Sequence, residues 1–194
     1  GESQWECGMR VAITGSAGTG KTTVAKALAA RADVAFVADG LRRRIEDGLV
    51  LGHLDRDQLK DLFEELYDEH QAELALAARM RGGAVSDRCC LDFLVLWLYH
   101  GLGDDDSRTA GLAHRAFRDL AEYGAVVVMP WGVLPPVDDG APAANPWPQL
   151  HFHALFEGMA RDHIEGRRLL RLPRDILDAT ARVDWIHARV SGDR

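Results

Sequence analysis

An α/β domain built on a parallel sheet is the fold class this sequence predicts, and three observations predict it. Short apolar segments of strand character alternate with segments of helical period along the chain, the pattern of strand–helix–strand units with right-handed crossovers. One segment, Ala125 to Met129, holds three consecutive valines, the continuous β-branched character of a strand covered on both faces. A glycine-rich stretch, Gly15 to Thr22, stands between the first strand and the first helix, at the end of the sheet where such folds hold ligands. The chain has 194 residues, 47% apolar and 27% charged, enough for one domain with a buried core, expected over residues 9–194.

The elements follow in order. Met9 to Thr14 reads as the first strand, and Lys21 to Arg31 as a helix carrying Val24 and Leu28. Val34 to Ala38 is a second strand, stopped by Asp39-Gly40, and Leu41 to Asp47 is helical up to Gly48. Asp55 and Gln58 have capping-box spacing, so a long helix starts there. Leu59, Leu62, Phe63, Leu66, His70 and Leu74 give it a buried stripe, and Gly82-Gly83 ends it after Arg81. Ala84 to Asp87 is a very short strand. Leu91 to Tyr99 is apolar on most faces and reads as a buried helix. Ser107 is the expected cap of a helix reaching Tyr123, with Gly124 as its stop. After the Ala125 to Met129 strand, Pro130 to Pro148 is a loop long enough to serve as a lid, taken as residues 130–150. Leu150 to Ile164 is a helix, Leu169 to Leu172 the fifth strand, and Asp175 to Val190 the last helix.

Composition narrows the function classes. Thirty acidic against 23 basic residues give a formal charge of −7, which argues against a nucleic-acid partner. The longest apolar run, Phe93 to Tyr99, is far short of a membrane span, and no signal peptide opens the chain, so no membrane partner and a cytoplasmic location are expected. Cys7 and the adjacent Cys89 and Cys90 do not make a secreted disulfide framework. Only Lys21, Lys26 and Lys60 are lysines among 23 basic residues, so the arginines are individually weak signals and Lys21 stands out.

The strongest signal is Gly15-Ser16-Ala17-Gly18-Thr19-Gly20-Lys21-Thr22, a complete G-x-x-x-x-G-K-[ST] phosphate-loop pattern after a strand and before a helix. The glycines let backbone N–H groups turn inward onto a phosphate, and the helix N-terminus adds a favourable dipole. Lys21 would bridge the β- and γ-phosphates, Thr22 would place its hydroxyl on Mg²⁺, and Thr23 completes the nucleotide-binding segment. The expected fold is therefore the P-loop NTPase fold, with a parallel five-stranded sheet flanked by helices and a short lid. ATP and Mg²⁺ are the expected cofactors.

The remaining residues discriminate among nucleotide enzymes. No N-K-x-D base-reading motif of a GTPase occurs, and the Ala125 to Met129 strand lacks the acidic end of a motor ATPase. A small-molecule kinase needs a base near the acceptor hydroxyl, a magnesium carboxylate and a water-excluding lid. Asp39, after the second strand, is the candidate base; a plain Asp-Gly turn is the competing reading. Asp87, after the third strand, is the candidate magnesium carboxylate, and Arg88 the candidate grip on a phosphate or the acceptor; a surface ion pair or helix cap competes. Of Arg42-Arg43-Arg44, at most one or two can face the site, since they point about 100° apart on a helix, and Arg43 is taken as substrate-binding. Trp131 and Asp138 are further candidates for the acceptor, against lid packing and a turn. Leu172-Pro173-Arg174-Asp175 is placed to contact adenine and ribose through its backbone.

These residues together resemble the P-loop kinases related to nicotinamide riboside kinase, a branch of the nucleoside and nucleotide kinases. The resemblance runs through Gly15 to Thr22, Asp39-Gly40-Leu41-Arg42-Arg43, His70-Gln71, Ser86-Asp87-Arg88, Tyr99-His100-Gly101 and Val137-Asp138-Asp139-Gly140. It implies ATP-dependent phosphorylation of a hydroxyl on a small, nucleoside-like substrate, and a homodimer. One departure stands out: no Lys or Arg occurs from Asp119 to Ala160, where such kinases usually carry lid arginines. An NTPase that couples hydrolysis to conformational change and a non-catalytic nucleotide-binding module are the alternatives.

Overall fold

A computed structural model describes residues 5–134 and 145–192. Five strands form one sheet: β1 (Met9–Thr14), β2 (Ala35–Val37), β3 (Gly83–Asp87), β4 (Ala125–Val128) and β5 (Leu169–Arg171). Their order is β2-β3-β1-β4-β5 and every pairing is parallel. Side chains alternate across each strand, so each strand feeds two cores. Val11, Ile13, Val85 and Val127 pack under α1 (Lys21–Ala32) and α7 (Ala179–Val190). Ala12, Ala84, Val126 and Val128 face the opposite layer. That layer holds α3 (Arg56–Arg81), α4 (Leu91–Tyr99), α5 (Asp106–Asp119) and α6 (Pro146–His163), while the short α2 (Gly40–Glu46) leans on α3. Burial on both faces is why the strands read as unbroken apolar runs. Among the described residues, no helix is long and apolar enough to cross a membrane.

Most elements lie where their sequence signals put them, and the differences have local causes. The capping box of α3 is present in full: Asp55 accepts from the Gln58 amide and Gln58 accepts from the Asp55 amide. Gly82 takes the left-handed C-cap of that helix, but Gly83 already pairs with Met9 as the first residue of β3. Asp105, not Ser107, caps α5, accepting from the Arg108 amide at 3.2 Å. The α-helix stops at Asp119, and a 3₁₀ turn over Leu120–Glu122 carries the chain to β4. The helix expected from Leu150 begins at Pro146, inside the segment read as loop. Asn145 caps it by accepting from the Trp147 amide, and Pro146 sits in the first turn, where a missing N–H costs nothing. The prolines there start a helix rather than exclude one. The last helix begins at Ala179 because Asp178 caps it, leaving 172–178 as a loop.

Candidate active site

A parallel sheet brings the ends of all its strands to one edge, and the register decides which residues share a row there. Val37 is level with Ser86, and Ile13 with Asp87. Two residues past Val37, one past Ile13 and one past Asp87, the chain places Asp39, Thr14 and Arg88 in a common row. The phosphate loop leaves β1 at the same edge and closes at Gly20, the left-handed N-cap of α1. Gly15 has φ +150°, and a Cβ there would sit 3.0 Å from the Met129 Cβ and 3.1 Å from the Thr19 hydroxyl, so only glycine fits. Gly20, at φ +83°, is likewise pinned to a conformation that side chains rarely adopt. Thr19 braces the loop from inside, donating its hydroxyl to the Ser16 carbonyl at 2.9 Å. Ala17, Gly18 and Thr23 are exposed.

The charged residues of the edge form one cluster. Thr22 donates its hydroxyl to Asp87 Oδ2 at 2.5 Å, and Arg42 Nη1 donates to the same Thr22 oxygen at 3.1 Å. Asp39 accepts from the Leu41 and Arg42 amides through Oδ1, capping α2, while its Oδ2 lies 2.7 Å from Arg88 Nε. Arg88 Nη1 is 3.9 Å from Asp92, whose other oxygen accepts from Thr14 at 2.6 Å. Arg88 itself has φ +102°, a strained conformation for a side-chain-bearing residue. Its carbonyl is held there by the Ser86 hydroxyl at 2.7 Å.

The electrostatics follow from burial and proximity. Burial works to raise the Asp39 pKa, but the Arg88 and Lys21 charges and the Arg42 amide overcome it and hold the carboxyl below its ordinary value. Burial, and then the Arg88 charge, lower the Lys21 pKa against the pull of Asp87, Asp39 and Asp92. Asp92 is fully buried, and burial pushes it up to about 6 despite Arg88 and Thr14. His70 is pushed down to about 4 by burial and is neutral at physiological pH.

The residues fit a magnesium ion held in the manner of a phosphate-bound metal. The Thr22 hydroxyl and the Asp87 carboxylate touch, and Asp87 Oδ1 and the Ser16 hydroxyl are buried without a hydrogen-bond partner. Among the described residues no group of three or more His, Cys, Asp or Glu stands together as a protein cage. Mg²⁺ commonly takes one or two protein oxygens and leaves its other positions to phosphate and water.

The structure thus brings together Lys21, Thr22, Asp39, Asp87 and Arg88. Arg43 lines a cleft of about 620 Å³ between α2 and α3, which Ala38 and Gly40 on either side of Asp39 also line, with Glu73 at 3.8 Å. Trp131 lies just past β4, with its indole N–H buried and unpartnered and its carbonyl accepting from Arg174 at 2.9 Å. Arg174 thereby brings a cation to the root of the arginine-free segment through its side chain. Asp138 and the Asp138-Asp139-Gly140 signal lie outside the described residues. Trp147, at the start of α6, is 66% exposed. Three residues of the cluster escaped sequence reasoning. Arg42 was one of three equivalent arginines. Arg182, buried behind the loop, has no local signal at all. Asp92 did leave a trace, as a lone carboxylate in the apolar helix Leu91–Tyr99.

Sheet order, loop and charged edge together define a P-loop NTPase of kinase-like architecture. A family model described as AAA domain matches residues 10–176, most of the chain, and the chain belongs to that family. No curated protein matches the chain. Among solved structures it is similar to NadR protein in complex with NR at 20% identity and a TM-score of 0.64, over 94% of this chain and 51% of that one. The chain therefore spans about half the length of that relative. It is also similar to thymidylate kinase from Ehrlichia chaffeensis, at 17% identity and a TM-score of 0.62, over 92% of this chain and 96% of that one. Deoxyadenosine kinase from M. mycoides with products dCMP and dCDP is similar at 12% identity and a TM-score of 0.63, over 95% of this chain and 100% of that one. These likenesses establish a fold shared with several distinct nucleoside and nucleotide kinases, and not one particular kinase.

Proposed function

We propose that this protein is an ATP-dependent phosphotransferase acting on a hydroxyl of a small, nucleoside-like metabolite. The observation that carries the reading is the buried Asp39–Arg88 pair, 2.7 Å apart beside the phosphate loop and within the electrostatic reach of Lys21. Hydrolysis needs only a positioned water; a carboxylate and a guanidinium fixed side by side suit a bound, oriented hydroxyl acceptor. The fold-level likeness to kinases named for nucleosides and nucleotides supports the acceptor class, and nicotinamide riboside is the first acceptor to test.

In this reading the loop amides from Ser16 to Lys21 hold the polyphosphate of ATP, and Lys21 neutralises charge on the moving phosphoryl group. Thr22 and Asp87 would hold Mg²⁺, which supplies positive charge to the phosphate oxygens. Asp39 accepts the hydrogen bond of the acceptor hydroxyl and aims its oxygen. Arg88, kept charged by Asp39 and Asp92, faces the phosphoryl group or the acceptor. Trp131, just past β4, would pack on the acceptor at the root of the expected 130–150 lid, of which 135–144 lie outside the described residues, within one domain over 9–194, leaving the edge drier and its charges stronger.

The AAA-domain match favours one competing reading, an NTPase that drives a conformational change. Against it, β4 runs into Met129-Pro130 with no carboxylate at its end. The deciding experiment is ADP formation from Mg·ATP with and without a panel of nucleosides, nicotinamide riboside included. ADP that forms only with an acceptor, together with a phosphorylated acceptor, is the expected result. ADP formed at the same rate without any acceptor overturns the kinase reading in favour of the NTPase.

A further inference from the structure

Arg182 lies on α7 and is 2% exposed, yet no carboxylate pairs with it among the described residues. Its Nη1 donates to the Thr19 carbonyl at 2.9 Å and its Nε to the Ile176 carbonyl at 2.8 Å, while Nη2 is buried with no partner. A Cβ placed on Gly20 would come within 3.4 Å of Nη1, so the guanidinium sits directly behind the turn that opens α1. Buried arginines are ordinarily paired, because an uncompensated interior charge is costly. Among the described residues this one is held by two carbonyls, one of them in the loop that the proposed function assigns to the polyphosphate.

We infer that Arg182 is a positioning residue for polyphosphate binding, a buried cation whose counter-charge is the bound polyphosphate and whose hydrogen bonds tie the phosphate loop to the 172–178 loop. The inference rests on the proposed nucleotide site and adds to it the charge behind the loop. Two effects act together. The Thr19 carbonyl and the Gly20 N–H belong to one peptide unit, so a charge-assisted bond to the oxygen polarises that N–H, one of the loop amides proposed to hold the polyphosphate. The same side chain fixes Ile176 relative to Thr19, so the 172–178 loop and the phosphate loop keep one spacing. Burial lowers the Arg182 pKa, the response of a cation without a counter-ion.

The test compares wild type with Arg182→Met, which removes charge and donors, with Arg182→Gln, which keeps a donor but no charge, and with Arg182→Lys. Binding of a non-hydrolysable ATP analogue and of inorganic tripolyphosphate is measured by calorimetry, and apo thermal stability by scanning fluorimetry. Loss of a buried charge opposite an anion raises Kd about tenfold or more for both probes in the Met and Gln variants. Arg182→Lys should recover most of that loss, and the apo melting temperature of Arg182→Gln should not fall, since the variant no longer buries an unpaired charge. A lowered apo melting temperature with both Kd values within twofold of wild type would overturn the inference and leave Arg182 a packing residue. A loss confined to the ATP analogue would overturn it too, because the effect would then reach the base and not the phosphates. Failure of wild type to bind either probe would instead overturn the nucleotide-site reading on which the inference stands. Should Arg182→Met not fold, Arg182→Gln carries the same comparison.

Discussion

Replacing Asp92 with Asn should make the protein more stable at neutral pH, and by an amount that depends on pH. Asp92 is buried completely, accepting from the Thr14 hydroxyl at 2.6 Å and from the Cys89 amide at 3.2 Å, with Arg88 at 3.9 Å. Its pKa rises from 3.8 to about 6 in the fold, chiefly through burial. Below 3.8 the folded and unfolded chains both carry the proton, and the group contributes nothing. As pH rises from 3.8 to about 6 the unfolded chain ionises while the folded chain holds its proton, so stability falls. Above about 6 the whole cost is present, about 3 kcal/mol at the usual 1.4 kcal/mol per pKa unit. About half is already present at pH 5, so the variant should gain about 1.5 kcal/mol on wild type between pH 5 and pH 8. For a chain of this size that is about 3–6 °C in melting temperature. Asn keeps both hydrogen bonds if its oxygen faces the Cys89 amide and its NH₂ faces Thr14, whose hydroxyl can turn to accept. The assay is thermal unfolding of both proteins across pH 5–8. A stability difference that stays constant across that range would refute the reasoning, for it would mean that Arg88 offsets the burial in full and Asp92 ionises normally.

Four other substitutions probe the edge of the sheet and the segment after β4. Gly15→Ala forces a Cβ to within 3.0 Å of Met129 and holds a side chain at φ +150°, so it should cost about 1–3 kcal/mol in unfolding free energy and weaken nucleotide binding, read by denaturant melts and titration. Asp39→Asn leaves an oxygen to cap α2 but removes the charge facing Arg88; nucleotide affinity should hold while acceptor phosphorylation drops by roughly 10²-fold, and equal rates would move the acceptor-orienting role to Asp87. Trp131→Ala should raise the acceptor KM more than the ATP KM, by the roughly 0.5–1.5 kcal/mol of an aromatic contact, whereas Trp147→Ala, at an exposed position, should change it less. An unchanged acceptor KM in Trp131→Ala would make the segment a structural crossover.

The fold was legible because each signal was local and repeated. The β-branched run of β4, the Asp55–Gln58 box of α3 and the glycine-rich turn after β1 each dictate backbone geometry over a few residues, and the structure keeps all three. The start of α6 was not legible in the same way. Prolines disfavour a helix interior but favour its first turn, and only the Asn145 side chain settles which applies. The candidate site was legible where a residue ends or follows a strand, since a parallel sheet sends every such residue to one edge; Asp39, Asp87 and Arg88 stand out in the sequence for that reason. It was illegible where the partner is distant in sequence. Nothing near Arg182 announces Thr19, 163 positions away, and nothing near Thr14 announces Asp92. Arg42 and Arg43 differ only in helical phase, and one residue of phase decides which reaches Thr22 and which turns to Glu73.

Asp39 shows how the geometry refines a role that sequence can only suggest. A carboxylate held below its ordinary pKa by Arg88 and Lys21 is a weak base, yet it is fully ionised and rigidly aimed. Phosphoryl transfer passes through a loose transition state in which the attacking hydroxyl needs alignment more than early deprotonation. One oxygen of Asp39 is spent on the Leu41 and Arg42 amides, which locks the side-chain rotamer; the other lies against Arg88, with lone-pair capacity left for one hydroxyl. The Arg88 guanidinium stands between Asp39 at 2.7 Å and Asp92 at 3.9 Å, so a second carboxylate holds it from behind while Asp39 orients an acceptor. In the proposed reaction the pair therefore acts as a fixed ruler for the acceptor oxygen, and proton release can come late, after the bond to phosphorus has begun to form. A rate on the true acceptor that stays nearly flat from pH 6 to 8 in wild type would agree with this, because an Asp39 held below its ordinary value does not titrate there. A rate that rises tenfold per pH unit through that range would place the proton-accepting step on another group.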